Sequence, residues 1–109
     1  MVRVDVGKRD RLTGLVIQLK TSCTDHKRRV IWPAFQAPFR DAQDEHGNVS
    51  DSYNIVGRNA VTGARFRERA SFSARISRRT VKGSATVTQT LVGKGVVCKS
   101  PRVSFTAHT

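Results

Sequence analysis

The chain has 109 residues, which is enough for one domain with a modest two-layer core and too few for a second unit. Twenty Lys and Arg against eight Asp and Glu give a formal net charge of +12, and fourteen of the twenty are Arg. Such a charge favours association with polyanions, or else serves solubility or follows from codon bias. No stretch approaches the roughly 20 apolar residues of a membrane-spanning helix.

The first third of the chain reads as short strands. Residues 2–6 alternate like a strand and lack the apolar block of a signal peptide, so the start indicates a cytosolic protein or a trimmed one. Residues 15–19 and 28–32 predict two more strands. Pro33 and Pro38 limit ladder pairing in the segment that lies between the two prolines, so a sheet edge or a loop is predicted there.

The one acidic stretch, residues 40–51, predicts a loop between strands. Asp41, Asp44 and Glu45 offer oxygen ligands for Ca²⁺, but the spacing of an EF-hand and its closing Glu are absent. We therefore expect a solvated loop, with no metal and no cofactor. A further strand is predicted over residues 53–56.

The densest signal is a period of two over residues 66–76. Its even positions include Phe66, Phe72 and Ile76, whereas its odd positions hold Arg or Ser. This pattern predicts a half-buried antiparallel strand with one apolar and one cationic face. A polar turn follows, and residues 80–91 resume the alternation, with Gly83 marking a bulge or a close backbone approach. The two segments predict a long central hairpin.

Residues 96–98 and 103–107 predict the last two strands, around a turn at 93–95. The whole chain, residues 1–109, is therefore interpreted as a single all-β domain, an antiparallel β-sandwich of about seven to nine strands. The positions predicted to be mostly buried are Leu15, Ile17, Leu19, Phe66, Phe72, Ala74, Ile76, Val81, Ala85, Val87, Val103 and Phe105.

Cys23 and Cys98 each lie at the end of a predicted strand, and we favour a disulfide between them. The alternative is two buried thiols that act as small hydrophobic residues. No CxxC occurs and only His26 lies near Cys23, which argues against a metal site. A disulfide would favour an oxidising compartment, whereas isolated thiols would fit the cytosol.

Catalysis is not indicated. The three histidines, His26, His46 and His108, lie in polar or terminal surroundings, and neither HExxH nor GxSxG occurs. We therefore expect no enzymatic activity.

The cationic face of the predicted hairpin is the candidate binding site. Its residues are Arg65, Arg67, Arg69, Arg75, Arg78, Arg79 and Lys82. Alternate residues of a strand lie roughly 6.6 to 7 Å apart, close to the spacing of successive phosphates or sugar charges. Arg also offers paired donors to phosphate, sulfate and carboxylate. The expected partners are anionic polysaccharide, a cell-wall polymer or non-specific nucleic acid, and the alternative is a solvated face that prevents aggregation.

Several segments together resemble a family of small, Arg-rich, exported bacterial β-sandwich domains of unknown function. The resemblance rests on Thr13-Gly14-Leu15, Ser22-Cys23-Thr24-Asp25, residues 66–76 and 81–85, and the closing segment from Cys98 to Ala107. It covers about residues 2–107. Members of that family carry a signal peptide, two cysteines at the corresponding places and a closing strand of the form C-x-S-G-x-V-x-W-x-A.

Three departures from the family pattern stand out. Phe105 replaces the Trp and Pro101 the Gly, and the chain starts after the family's first strand, so we expect a truncated or miscalled start. The resemblance implies the sandwich fold and export to the extracellular space or cell envelope, and it supplies no active site. The sequence thus predicts an exported, non-enzymatic module, with a cytosolic nucleic-acid-binding protein as the alternative.

Overall fold

The computed structural model describes residues 1–7, 11–39 and 47–108, and these residues form strands and turns. Within them lie ten strands: β1 (Val2–Val6), β2 (Leu12–Ile17), β3 (Leu19–Cys23), β4 (Arg28–Ile31), β5 (Ala34–Gln36), β6 (Asn48–Arg58), β7 (Arg65–Ser77), β8 (Thr80–Leu91), β9 (Val96–Lys99) and β10 (Val103–His108). The predicted all-β class is therefore confirmed. Of the acidic stretch predicted as a loop, residues 40–46 lie outside the described part, whereas residues 48–51 belong to β6, so the loop prediction is wrong there.

Two antiparallel sheets pack together as a sandwich. The small sheet has the order β1-β2-β5, and the large sheet has the order β4-β3-β9-β8-β7-β6. The strand β10 also belongs to the large sheet, because it pairs with the first half of β8 while β9 pairs with the second half. The strand β8 therefore lies in the middle of the large sheet, with paired neighbours along both edges. Its inward side chains form the centre of the core.

The number of strands exceeds the prediction because the chain changes sheets at unforeseen places. Residues 15–19 do not form one strand: β2 ends at Ile17, and β3 begins at Leu19 in the other sheet. The backbone NH of Gln18, between them, bonds to the carbonyl of Met1 at 2.8 Å. Leu15, Ile17 and Leu19 are all buried, so their alternation continues across the break and conceals it.

The predicted central hairpin is confirmed. The strands β7 and β8 pair without interruption from Phe66 opposite Leu91 to Ser77 opposite Thr80. Of the twelve positions predicted to be mostly buried, ten are buried, whereas Phe66 and Val103 are only partly so. The ring of Phe66 lies over Gly57 on β6, and glycine has no side chain to cover it.

Gly83 is a site of close backbone approach. A Cβ atom added there would lie 2.3 Å from the carbonyl oxygen of Ser73. The pairing of β8 with β7 and with β10 is continuous through this residue, so the alternative prediction of a bulge is wrong. Only glycine lets β7 pack this closely to β8.

The predicted disulfide is confirmed. Cys23 on β3 lies directly opposite Cys98 on β9, with Cα atoms 4.0 Å apart and a bond between the sulfurs. The backbone NH of Thr24 bonds to the carbonyl of Val97, which makes the cysteines a non-hydrogen-bonded pair, the closer kind of cross-strand position. The bond closes a loop with a sequence separation of 75 residues. In the chain-entropy model such a loop corresponds to about 4.5 kcal/mol of stabilisation.

Candidate functional site

The outer face of the large sheet, which points away from the small sheet, is the candidate site. Alternate positions of β7 place Arg65, Arg67, Arg69 and Arg75 on this face, because the even positions between them are directed into the core. All seven predicted cations, Arg65, Arg67, Arg69, Arg75, Arg78, Arg79 and Lys82, are exposed. The structure therefore places every predicted cation on this face or on the turn at its end.

The described strands of this outer face carry no carboxylate. Asp51 on β6 and Glu68 on β7 occupy inward positions, since they pair with Phe72 and with Gln89 and Ile55 respectively. Asp25 lies in the turn between β3 and β4, where it accepts two hydrogen bonds from Arg29 at 3.1 and 2.9 Å. Ser, Thr and Asn fill most of the other outward positions. The positive charge of the face is therefore not neutralised by neighbouring acids on the sheet.

One group of cations, the strand cluster, lies near the start of β7. It comprises Arg65, Arg67 and Arg69 together with Arg58 on β6 and Lys99 on β9. The register brings them together, because Arg58 lies opposite Arg65, and both Arg69 and Lys99 lie opposite Thr88. A shallow depression of about 450 Å³ lies over this cluster, lined by Asn54, Arg67, Arg69, Thr88, Thr90 and Lys99.

The sequence reasoning missed Arg58 and Lys99. Each is a single cation outside the long alternating pattern of residues 66–76, so no local signal singled it out. The pairing register would have found both, but register depends on which strands become neighbours and not on either strand alone.

A second group, the turn cluster, lies at the other end of β7. It comprises Arg75, Arg78, Arg79 and Lys82, and Arg75 lies directly opposite Lys82. Another depression, of about 490 Å³, is lined here by Arg75, Ser77, Arg78, Thr80 and Lys82. Three of the four cations, Arg75, Arg78 and Lys82, thus line one concave surface at the end of the hairpin.

The turn itself is strained. Arg78 and Arg79 form a two-residue connection with φ values of 47° and 62°, in the left-handed region. Turns of this kind favour Asn-Gly, because a side chain with a Cβ costs roughly 1–2 kcal/mol in that conformation. The sequence therefore keeps two arginines where the backbone favours other residues.

A band of hydroxyl side chains, the hydroxyl band, separates the two clusters. Its members on β6, β7 and β8 are Ser50, Ser52, Ser71, Ser73, Ser84 and Thr86. Arg69 and Arg75 are six residues apart on β7, which corresponds to about 20 Å along an extended strand. The predicted cationic stripe is thus two clusters of charge joined by a hydroxyl-rich surface, where Arg102, just before β10, donates a hydrogen bond to Oγ of Ser84 at 3.0 Å.

The described residues include no candidate metal site. No group of three or more His, Cys, Asp or Glu side chains within residues 1–7, 11–39 and 47–108 is arranged to hold a metal ion. His108 lies beside Thr80, with Nδ1 and Oγ1 at 3.3 Å, and His26 is in the turn after Cys23. His46 lies outside the described residues.

A buried polar cluster was not foreseen from the sequence. Glu68, on the inward face of β7, accepts hydrogen bonds from the Tyr53 hydroxyl and from Nε2 of Gln89, the latter at 3.2 Å. Burial, and secondly the Glu68 carboxylate, raise the pKa of Tyr53 far above its ordinary value. The phenol therefore stays neutral and donates to Glu68, which ties β6, β7 and β8 together.

Comparisons with protein families, curated proteins and solved structures found no match to this chain. The described residues include no helix that is long and apolar enough to cross a membrane.

Proposed function

We propose that this protein is a non-enzymatic, exported module that binds a linear anionic polymer across the outer face of the large sheet. The observation that carries the proposal is that the strand cluster and the turn cluster share one face, whose described strands carry no carboxylate. Exposed Arg side chains provide paired donors for sulfate, phosphate or carboxylate groups. Arg65, Arg67, Arg69 and Arg75 have no neighbouring carboxylate on the described strands of that face, so their donors can contact a ligand.

The side chains between the clusters favour an anionic polysaccharide or a hydroxyl-rich cell-wall polymer. The hydroxyl band offers donors and acceptors to neutral hydroxyl groups of such a chain. Single-stranded nucleic acid is usually held by exposed aromatic rings on which bases stack. The outward positions of β6 to β10 carry no Phe, Tyr or Trp among the described residues, and Tyr53, Phe66, Phe72 and Phe105 occupy inward positions.

The disulfide supports the exported role over a cytosolic nucleic-acid-binding one. Disulfides persist in oxidising compartments and are rare in the cytosol, where thiols are kept reduced. Cys98 is fully buried and Cys23 is 8% exposed, so the bond is part of the folded domain and not a surface feature.

The test is the salt dependence of binding to heparin, used as a sulfated polysaccharide probe, by isothermal titration calorimetry. Each neutralised charge releases counterions, so affinity should fall steeply as salt rises. The double variant R67S/R69S removes two charges of the strand cluster and should reduce both the affinity and the steepness of the salt dependence.

The matched control is R3S/R11S, which removes the same charge elsewhere. Arg3 is an exposed residue of β1, and Arg11 is exposed just before β2, so both belong to the small-sheet side. The control should bind heparin almost as tightly as the parent. Equal losses of affinity in the two variants would show that net charge alone determines binding. No binding of heparin at low salt would overturn the proposal.

A further inference from the structure

The outer edge of β6 is an open strand edge at one end of the large sheet. The strand is last in the sheet order and pairs only with β7. Hydrogen bonds join Ile76 NH to the Gly47 carbonyl at one end and Asn59 NH to the Ala64 carbonyl at the other. In an antiparallel pair the bonding alternates, so the odd-numbered residues of β6 face β7. The backbone groups of Asn54, Val56 and Arg58 therefore face away from the sheet.

The two halves of this edge differ. In the first half, the outward NH of Ser52 donates to Oδ1 of Asp51 at 2.8 Å, which blocks one pairing position. An inward-pointing charge of this kind is a common protection of edge strands. In the second half, residues 54–58, no described strand or side chain serves that purpose. The sequence therefore protects only part of the edge.

The second half also exposes apolar side chains on both faces of the sheet. Ile55 is 46% and Val56 66% exposed, which is high for aliphatic residues in a strand. On the outer face, Arg58 on the same strand and Arg65 and Arg67 on its neighbour surround Val56 with positive charge, whereas Ile55 lies on the opposite face beside Glu68. An added strand would cover the aliphatic groups, and acidic side chains on it would meet these arginines.

We propose that residues 54–58 of β6 accept an extended acidic segment of another protein as an additional strand of the large sheet. Main-chain hydrogen bonds to the outward groups of Asn54, Val56 and Arg58 supply affinity, as in other cases of strand addition. Apolar residues of the segment cover Val56 on one face and Ile55 on the other. Carboxylates of the segment pair with the surrounding arginines, which selects an acidic partner.

Charge also argues against a second copy of this chain as the occupant. Each copy carries a formal net charge of +12, and pairing two β6 edges would bring two sets of these arginines close together. These arginines would attract an acidic segment, whereas they would repel a second copy of the chain.

The experiment uses a short synthetic peptide of alternating glutamate and valine, added to the isotope-labelled protein. Amide hydrogen exchange, followed by NMR, should slow at Asn54, Val56 and Arg58. With free peptide at 100 times its Kd, exchange at these amides should slow by about 100-fold. The same peptide with every backbone nitrogen methylated keeps its charge but loses the donors on both of its edges, and it should give no protection.

The variant V56P tests the edge within the protein. Proline removes only the outward NH of residue 56, so the β6–β7 ladder and the thermal stability should persist while affinity falls about tenfold or more. The matched variant V56T keeps the NH and should bind nearly as the parent does. Equal binding of V56P and the parent, or of the methylated peptide, would refute strand addition. Protection of the same amides without peptide, rising with protein concentration, would identify a second copy and also refute the proposal.

Discussion

Arg75 on β7 and Lys82 on β8 lie directly opposite each other, two residues from the turn that joins their strands. Like charges at directly opposed positions destabilise a sheet. The adjoining turn adds strain, because Arg78 and Arg79 both have positive φ. Two costs to stability therefore coincide around one depression lined by cations. A bound anion would offset the repulsion, which is why we assign the turn cluster to binding.

Replacing the turn residues should separate stability from binding. The variant R78N/R79G introduces the residues that this turn type favours, so it should raise the free energy of unfolding by about 1–2 kcal/mol. The same change removes two cations and should weaken heparin binding. Chemical denaturation and calorimetry on the same samples measure the two effects. A variant that is less stable than the parent would contradict the assigned turn strain.

The separation of the clusters predicts a dependence on ligand length. Sulfated oligosaccharides shorter than about 20 Å can contact only one cluster, whereas longer ones reach both across the hydroxyl band. Engagement of both should raise affinity by about 100-fold or more, because the second contact becomes intramolecular. Calorimetric titration with a size-graded series should show this step. A smooth increase with length would argue for a uniform charged surface.

The step should vanish when one cluster is removed. The variants R67S/R69S and R75S/K82S each leave one cluster largely intact, so long and short oligosaccharides should bind either variant with similar affinity. Persistence of the step in both variants would show that the two clusters do not act together.

The cationic face could be predicted because it depends on local alternation. In β7 every second residue faces the same way, so the positions of Arg65, Arg67 and Arg69 follow from the period of two. The buried, inward position of Glu68 could not be predicted from this alternation. A carboxylate at an inward position contradicts the pattern, and its partners Tyr53 and Gln89 come from two other strands.

The passage between sheets was likewise hidden. Residues on either side of Gln18 face the same core, so hydrophobic alternation does not change where the chain leaves the small sheet. The disulfide was predictable as a pairing of two strand-end cysteines. That Cys23 and Cys98 form a non-hydrogen-bonded pair depends on the register of β3 and β9.

The titration of Tyr53 tests the buried cluster directly. It is the chain's single tyrosine, so phenolate absorbance reports on it alone. Because burial and then Glu68 raise its pKa, the folded protein should show no ionisation near pH 10, where the unfolded chain titrates. A raised folded-state pKa stabilises below the unfolded value, so stability should fall as pH rises beyond about 10.

The variant E68Q separates the two causes. Removing the negative charge should lower the pKa of Tyr53 but leave it above its ordinary value, because burial is the larger cause. Ordinary titration of Tyr53 in the folded parent would show that the phenol is open to solvent and that the described cluster is wrong.

Gly83 should be intolerant of a side chain. In G83A the added methyl group would lie 2.3 Å from the Ser73 carbonyl oxygen, so strands β7 and β8 must move apart. Overpacking of this kind costs about 1–3 kcal/mol, measurable by urea denaturation. The control S73A changes an exposed side chain of the outer face and should alter stability by less than about 0.5 kcal/mol. Equal stability of the two variants would contradict the close approach.

We propose above that an anionic polymer lies across the outer face of the large sheet. The most direct measurement of this binding is a two-dimensional NMR titration of the isotope-labelled protein with a long sulfated oligosaccharide. We expect chemical-shift changes at the amides of both clusters, around Arg67, Arg69 and Lys99 and around Arg75 and Lys82, with little change on β1, β2 and β5. Changes centred on the small sheet, or none at low salt, would contradict it.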